Sequence, residues 1–271
     1  MPRPDPSARY NAQVAATWRT VLGRLTGQWQ GLGSWRDGDV ARFQRQVLPA
    51  VQAGQRTIAS LTASYLEQVH REVAGRPSPR IRLDPGEVTG AAVRDGTDPA
   101  DVYLRPFKVT WKALADGEPL DVARERGAGR LQTLAKTDLQ LTRTHTARTV
   151  MSQQSGVEYY MRQLQGEYDC ALCLIASTQR YRKKDLMPIH PGCDCVPVTV
   201  RADFDPGQVV DEAKLEAIHS AVETALGTFD RGGRAVDYRK IIIEHRHGEI
   251  GPVLAFAGQR FTGPADLRPP S

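Results

Sequence analysis

The stretch DCALCLIASTQRYRKKDLMPIHPGCDC, residues 169–195, holds all four cysteines of this 271-residue chain. The cysteines form two close pairs, and a histidine precedes the second pair. Thiolates two or three positions apart across a tight turn can point at one centre, and a second pair from a later hairpin can complete a tetrahedral zinc site. The spacing therefore predicts a structural zinc ion that ties two distant turns together. Its candidate ligands are Cys170, Cys173, His190, Cys193 and Cys195.

Several interpretations of these residues stay open. Zinc could be held by four thiolates, or by three with His190 replacing one. Two disulfides would suit a particle released into an oxidising environment, and buried thiols can also pack as small apolar side chains. A thioredoxin-like redox pair is disfavoured because the region lacks a βαβ pattern, and a cysteine nucleophile is disfavoured because crowded cysteines usually ligate or pair.

Outward from the cysteines, apolar residues at helical spacing predict long antiparallel helices. The first stripe runs over residues 7–31, and the second begins after Asp39, with Pro49 predicting either a kink or two abutting helices. Further helical stretches are predicted from Pro99, from Pro119 to about residue 165, and over residues 211–226. The first stripe consists of Tyr10, Val14, Trp18, Leu22, Leu25 and Trp29.

Short apolar runs near the C-terminus, at residues 241–243, 252–256 and 260–261, predict a small β element, and residues 196–200 predict a single strand. The predicted fold class is therefore mainly α with a small C-terminal β element, built from long antiparallel helices and a cysteine-clasped, zinc-ribbon-like module.

Glycine and proline clusters predict the domain boundaries. The expected organisation is an N-terminal helical hairpin over residues 1–75 and a linker over residues 76–98. A helical domain containing the cysteine and histidine module follows over residues 99–200. A C-terminal helix, the small β element and a loose tail complete the chain over residues 201–271.

Composition limits the function classes. The 36 basic and 31 acidic residues give a net charge of +5 and a pI near 9.1, which permits contact with nucleic acid without requiring it. Four basic residues lie between the two cysteine pairs, and they are candidates for nucleic-acid contact. They are Arg180, Arg182, Lys183 and Lys184. Arg143 and Arg148 could also hold phosphate, but two arginines on a helical face are more simply solvated charge.

The chain has no run of about 18 apolar residues, so no membrane span is predicted. Its N-terminus has no apolar signal region, which predicts action where the chain is made or inside an assembly.

Common catalytic motifs are missing from the sequence, including nucleotide-binding glycine loops and the His-Glu-x-x-His zinc motif, so we predict a protein that is not an enzyme. One alternative is a metal-dependent hydrolase that uses His245 and His247, which share one side of a predicted strand, together with Glu244 and Asp237. Polar residues on a terminal strand explain that cluster more simply.

The order of these motifs resembles a known family. Arg143-Thr144 on a helix is followed by Cys170-x-x-Cys173, then by Pro188-Ile-His-Pro-x-Cys-x-Cys195 and a Val-Pro strand. This combination, over about residues 140–200, is similar to the MuF-like phage head morphogenesis family, the minor capsid proteins of tailed phages. The N-terminal helices and the tail from Asp237 are similar in style to minor capsid proteins of actinobacterial phages.

The resemblance implies a viral structural protein of low copy number, located inside the head near the portal. It implies assistance in head assembly or in DNA packaging and delivery, and it implies the portal or major capsid protein as partner, with packaged DNA as a further contact. We expect the chain to be multimeric in the virion and to occupy the host cytoplasm during assembly. Family relatives also donate this module to toxin fusions, so a toxin-type effector is one alternative, and a zinc-stabilised nucleic-acid-binding module is another.

Overall fold

The computed structural model describes residues 6–74, 80–164, 168–169, 171–186, 195–201, 205–226, 243–247 and 251–255. In these ranges the chain is mainly helical with small antiparallel sheets, which confirms the predicted class at that level. The chain divides between Ser155 and Gly156 into two compact units. The described part of the predicted linker, residues 80–98, lies within the first unit.

The first unit is built from four long helices. A pair of short 3-10 helices, Pro85–Glu87 and Gly90–Arg94, lies between the second and third of them. The long helices are α1 (Pro6–Gln30), α2 (Asp37–Ala74), α3 (Pro99–Ala115) and α4 (Leu120–Gln153).

An aromatic cluster forms the centre of this unit. The Trp29 ring lies 4.7 Å from that of Trp35, 5.6 Å from that of Phe43 and 5.0 Å from that of Phe107, between ring centroids. Edge-to-face packing at these separations is favourable because the ring edges are positive and the faces negative. The predicted stripe of α1 is confirmed for most of its members, since Tyr10, Val14, Leu25 and Trp29 are buried.

Pro49 does not divide α2. The sequence left open a kink or two abutting helices, and the structure has one helix from Asp37 to Ala74. Proline removes one main-chain hydrogen bond from a helix interior. Burial of Phe43, Val47 and Val51 on either side of Pro49 compensates for that loss, because each of these side chains is almost fully removed from solvent.

The described part of the predicted linker packs against the helices. Val88 and Val93 are buried, and the Gly90 amide donates to the Gln55 side chain at 3.1 Å. The Gln153 side-chain amide accepts from the Arg82 backbone N–H at 2.9 Å and donates to the Arg82 carbonyl at 2.7 Å. These contacts attach the connection between α2 and α3 to the end of α4.

The second unit contains two small antiparallel sheets, with strand orders β3-β1-β4 and β2-β5-β6. Their strands are β1 (Val157–Gln163), β2 (Tyr168–Asp169), β3 (Arg180–Arg182), β4 (Val196–Arg201), β5 (Ile243–His247) and β6 (Gly251–Ala255). The unit also includes helices α5 (Ala171–Ser177) and α6 (Glu212–Leu226), and a 3-10 helix, Lys183–Asp185, that directly follows β3.

The prediction that the fourth long helix continues to about residue 165 is wrong. It ends at Gln153, and residues 157–163 form β1. Gly156 has a φ of 78°, a left-handed conformation that ends helical geometry at little cost for glycine. The following Val157, Tyr159 and Tyr160 are residue types that favour strands, because they pack well on a pleated surface.

Among the described residues, no helix combines the length and the hydrophobicity that crossing a bilayer would require.

Candidate functional site

The structure describes two of the five predicted zinc ligands. Cys173 lies on α5, and Cys195 directly precedes β4. Cys170, His190 and Cys193 lie outside the described residues.

Cys173 and Cys195 pack together in a small buried cluster. Their exposed fractions are 2% and 3%, and the partly buried Leu164 packs against this cluster. One cysteine comes from each half of the signature, so the fold brings the two halves together at these positions.

Pairing in the first sheet accounts for the position of Cys195. Gln163 at the end of β1 is opposite Val196, the first residue of β4. The residue before Val196 therefore lies beside the end of β1. Tyr160 and Arg162 are two residues apart on β1, so they point to the same side of the sheet, and both are buried.

Arg162 contacts the cysteine cluster directly. Its Nη1 donates to Sγ of Cys195 at 3.2 Å, and its Nη2 lies 3.5 Å from the Tyr160 hydroxyl. A guanidinium at this distance stabilises a thiolate, which is the form of cysteine that binds a metal. Arg162 is not among the site residues predicted from the sequence, because its partner is 33 residues away along the chain. The available signal was a charged residue alternating with an aromatic one in a strand-like run.

Two phenols lie near this guanidinium. The Tyr160 and Tyr181 rings lie 5.5 Å apart, and the Arg162 guanidinium lies 5.5 Å from the Tyr160 ring centroid. Burial raises the pKa of Tyr160 and also that of Tyr181 above the ordinary value, and the nearby Arg162 charge opposes both increases. Both side chains are therefore neutral hydroxyls near pH 7, and they add no charge to the surroundings of Arg162.

The donor set fits part of a zinc site. Cys173 and Cys195 lie in one cluster, and a cation lies beside one of them. These two thiols are suited to supply two of the four ligands of a tetrahedral zinc site. Within the ranges that the structure describes, no group of three or more His, Cys, Asp or Glu side chains could hold a metal ion. Completion of the set would require the predicted ligands outside those ranges.

The basic residues between the cysteine pairs lie on β3 and the 3-10 helix after it. Arg182, Lys183 and Lys184 line a cleft of about 180 Å³ together with Glu158 and Tyr159. Arg180 does not line this cleft. Its Nε pairs with Oδ1 of Asp205 at 2.6 Å and donates to the Gly207 carbonyl at 2.8 Å.

The residues of the hydrolase alternative are partly described. On β5, Glu244 is opposite Asp169 of β2, His245 is opposite Tyr168, and His247 is the last residue of the strand. Asp237 lies outside the described residues.

The Arg143-Thr144 pair of α4 lies in the interior of the first unit. Arg143 is 3% exposed, and its guanidinium lies 5.9 Å from the Trp18 ring centroid. The interpretation of both arginines as solvated charge is therefore wrong for Arg143, whereas Arg148 is exposed. Helix α4 buries a series of polar residues that the apolar pattern did not reveal, namely Asp138, Gln140, Thr142, Arg143, Thr144 and Thr146.

Comparison with known proteins found no matching family model, no matching curated protein and no matching solved structure. What the chain does must therefore be inferred from its own residues and their geometry.

Proposed function

We propose that this protein is a structural minor capsid component of a tailed phage, located inside the head near the portal. There it assists head assembly or the packaging and delivery of DNA. The observation that carries the proposal is the ordered signature, in which Arg143-Thr144 precedes Cys170-x-x-Cys173 and then His190-Pro-x-Cys-x-Cys195. Each short motif is common, but their combination in this order is not.

The geometry of the described residues supports this proposal in two ways. Cys173 and Cys195 lie in one cluster, as expected if the two halves of the signature form one module. Arg143 and Thr144 are buried in the helical unit, as expected if they belong to a structural framework. An assembly protein needs rigid surfaces, and the four long helices around an aromatic core provide them.

We expect the module to bind zinc through Cys170, Cys173, Cys193 and Cys195, with His190 replacing one thiolate in the alternative set. A bound zinc ion would add its binding free energy directly to folding. Cys173 and Cys195 would supply two thiolates, and Arg162 would donate a hydrogen bond to the Cys195 sulfur.

Elemental analysis of the purified chain, with thiol titration of the denatured protein, tests the zinc expectation. Zinc binding predicts about one zinc per chain and four thiols that titrate after chelation. Disulfides predict no zinc and no thiols without a reductant, whereas apolar packing of thiols predicts no zinc and four thiols. Either of the last two results would contradict the zinc site without contradicting the capsid role.

Gradient-purified particles of the phage that encodes this chain test the capsid role. Quantitative mass spectrometry should find the chain at few copies relative to the major capsid protein, and deletion of the gene should reduce the yield of DNA-filled heads. Its absence from purified particles would overturn the proposal.

Matched variants separate this role from the hydrolase alternative. In a structural role, the double variant His245→Gln, His247→Gln should enter particles and support infection normally. Cys173→Ser with Cys195→Ser should reduce incorporation, because the buried cluster is disrupted. The opposite pattern, with normal incorporation but failed infection of the histidine variant, would favour a catalytic role.

A further inference from the structure

We propose that the cleft between β1 and the 3-10 helix after β3 binds the phosphate backbone of nucleic acid. It is lined by three cationic side chains, one carboxylate and one aromatic ring. The inference adds a ligand and a contact set to the capsid role proposed above. The lining residues are Glu158, Tyr159, Arg182, Lys183 and Lys184.

The local fold concentrates the cations. Tyr159 on β1 is directly opposite Arg182, the last residue of β3. The chain then enters the 3-10 helix at once, so Lys183 and Lys184 follow Arg182 without an intervening neutral residue. Arg182 and Lys184 are exposed, and Lys183 is partly buried. The charges of Arg182 and Lys184 therefore reach solvent beside the cleft.

Arg180 contributes to the fold rather than to the contact set. Its guanidinium lies 3.6 Å from the Tyr159 ring centroid, within the range of a cation–π interaction. Its ion pair with Asp205 and its hydrogen bond to the Gly207 carbonyl also use its charge inside the protein. The geometry thus reduces the four predicted contact residues to Arg182, Lys183 and Lys184.

The size of the cleft favours a backbone phosphate over a whole nucleotide. Pockets that enclose small-molecule ligands usually have volumes of about 300–1,000 Å³. The volume here is about 180 Å³, and three of the five lining residues are cationic. A phosphodiester chain passing over the cleft could contact these three consecutive cations, and Glu158 would oppose it by like-charge repulsion.

The test measures the affinity of the full chain for a fluorescently labelled DNA duplex of about 20 base pairs. Fluorescence anisotropy gives the affinity at several NaCl concentrations between 50 and 200 mM. Each phosphate contact contributes about 0.9 to the slope of log affinity against log salt. Three contacts predict an affinity loss of about 40-fold over this range. The affinity of the double variant Arg182→Gln, Lys184→Gln should fall only about 4-fold over the same range. At 50 mM NaCl this variant should bind DNA more weakly than the wild type does.

A matched control changes the net charge equally at exposed sites of the first unit. Arg45→Gln with Lys108→Gln should keep the wild-type salt slope. Glu158→Gln should strengthen binding, because it removes the only carboxylate among the lining residues. Arg180→Gln should lower thermal stability but leave the salt slope unchanged, since its charge is paired with Asp205.

Equal salt slopes for the wild type and for Arg182→Gln, Lys184→Gln would overturn the inference. So would tighter binding of a polyglutamate peptide through the same residues, because the cleft would then dock an acidic protein. A single-stranded probe of the same length tests which form of nucleic acid binds. For a single strand, each phosphate contact should contribute about 0.7 to the slope of log affinity against log salt. Failure here leaves incorporation into particles unaffected, whereas absence from particles with normal DNA binding refutes only the capsid role.

Discussion

The indole nitrogen of Trp29 on α1 donates a hydrogen bond to the carbonyl oxygen of Arg124 on α4 at 3.1 Å. One turn further along α4, Gly127 lies against the same side chain. A Cβ atom at Gly127 would lie 2.4 Å from Cζ2 of Trp29 and 2.2 Å from Oγ1 of Thr110. The crossing of α4 over the aromatic core therefore requires a residue without a side chain at this position.

We expect Gly127→Ala to destabilise the first unit by about 1–3 kcal/mol. Overpacking costs about that much, and the better helix propensity of alanine offsets only part of it. Urea unfolding followed by tryptophan fluorescence measures the change. The four tryptophans, Trp18, Trp29, Trp35 and Trp111, all belong to the first unit, so the signal reports that unit alone.

Gly129 on the same helix is the matched control, because nothing lies within 4 Å of a Cβ atom there. Gly129→Ala should leave stability unchanged or raise it by up to about 1 kcal/mol. Equal effects of the two substitutions would contradict the close approach at Gly127.

A second close approach lies where α2 meets α1. A Cβ atom at Gly54 would lie 2.5 Å from Cγ2 of Val21 and 3.3 Å from Cδ2 of Leu139. Gly54→Ala should destabilise by about 1–3 kcal/mol. Val21→Ala removes the nearest atom, so the double variant should be more stable than the sum of the single changes predicts, by about 1 kcal/mol or more. Strict additivity in the same urea experiment would refute this contact.

A carboxylate hydrogen bond should be worth more than a neutral one in this core. The Tyr103 hydroxyl donates to Oδ2 of Asp138 at 2.8 Å, and Oδ1 of Asp138 pairs with Arg94. Burial raises the pKa of Asp138, and Arg94 and Tyr103 oppose that increase. Tyr103→Phe removes one of these partners, so we expect a loss of about 1.5–3 kcal/mol.

Tyr10→Phe is the comparison, because Tyr10 shares a 2.9 Å hydrogen bond with the neutral Thr62 hydroxyl. Its expected cost is about 0.5–1.5 kcal/mol. A larger loss for Tyr10→Phe than for Tyr103→Phe would contradict a charged acceptor at Asp138.

The first turn of α2 should make stability depend on pH. Oδ2 of Asp39 accepts from the Ser34 hydroxyl and backbone N–H, both at 2.7 Å, and from the Trp35 N–H at 2.8 Å. The hydrogen bonds from Ser34 lower the pKa of Asp39 below its ordinary value, and the bond from Trp35 adds to this effect. Because the folded pKa is lower than the unfolded one, the stabilisation is fully present above the unfolded pKa and is lost as the pH falls through the folded pKa.

Thermal unfolding of Asp39→Asn against wild type between pH 3 and pH 7 measures this dependence. The difference in melting temperature should be constant above about pH 5 and should shrink at lower pH. Asp37→Asn changes an exposed carboxylate on the same turn, so its effect should be smaller. A melting-temperature difference between Asp39→Asn and wild type that grows as the pH falls would contradict this prediction.

Local spacing predicted the long helices of the first unit, because an apolar stripe is a property of neighbouring turns, but it extended α4 beyond its end at Gln153. It predicted Leu22 in the α1 stripe, whereas Val21 is the buried residue that meets Gly54. It also missed β1, because a strand depends on partners distant in sequence, here β3 and β4.

The same difference between local and distant information applies to the candidate sites. The cysteine spacing and the basic run were visible in the sequence, but the difference between Arg180 and Arg182 was not. That difference comes from Asp205, which lies in a later loop. Likewise, nothing near Arg162 in the sequence indicates Cys195 as its partner.

The paired hydrogen bonds between Gln153 and the Arg82 backbone have a practical consequence. They attach Arg82, which follows residues 75–79, to the last turn of α4. Helix α2 packs separately against α1 and α4. The first unit should therefore keep its fold when the chain is broken between α2 and Arg82. Two polypeptides covering residues 1–76 and 77–271, produced together in one cell, should reassemble and co-purify as a complementing pair.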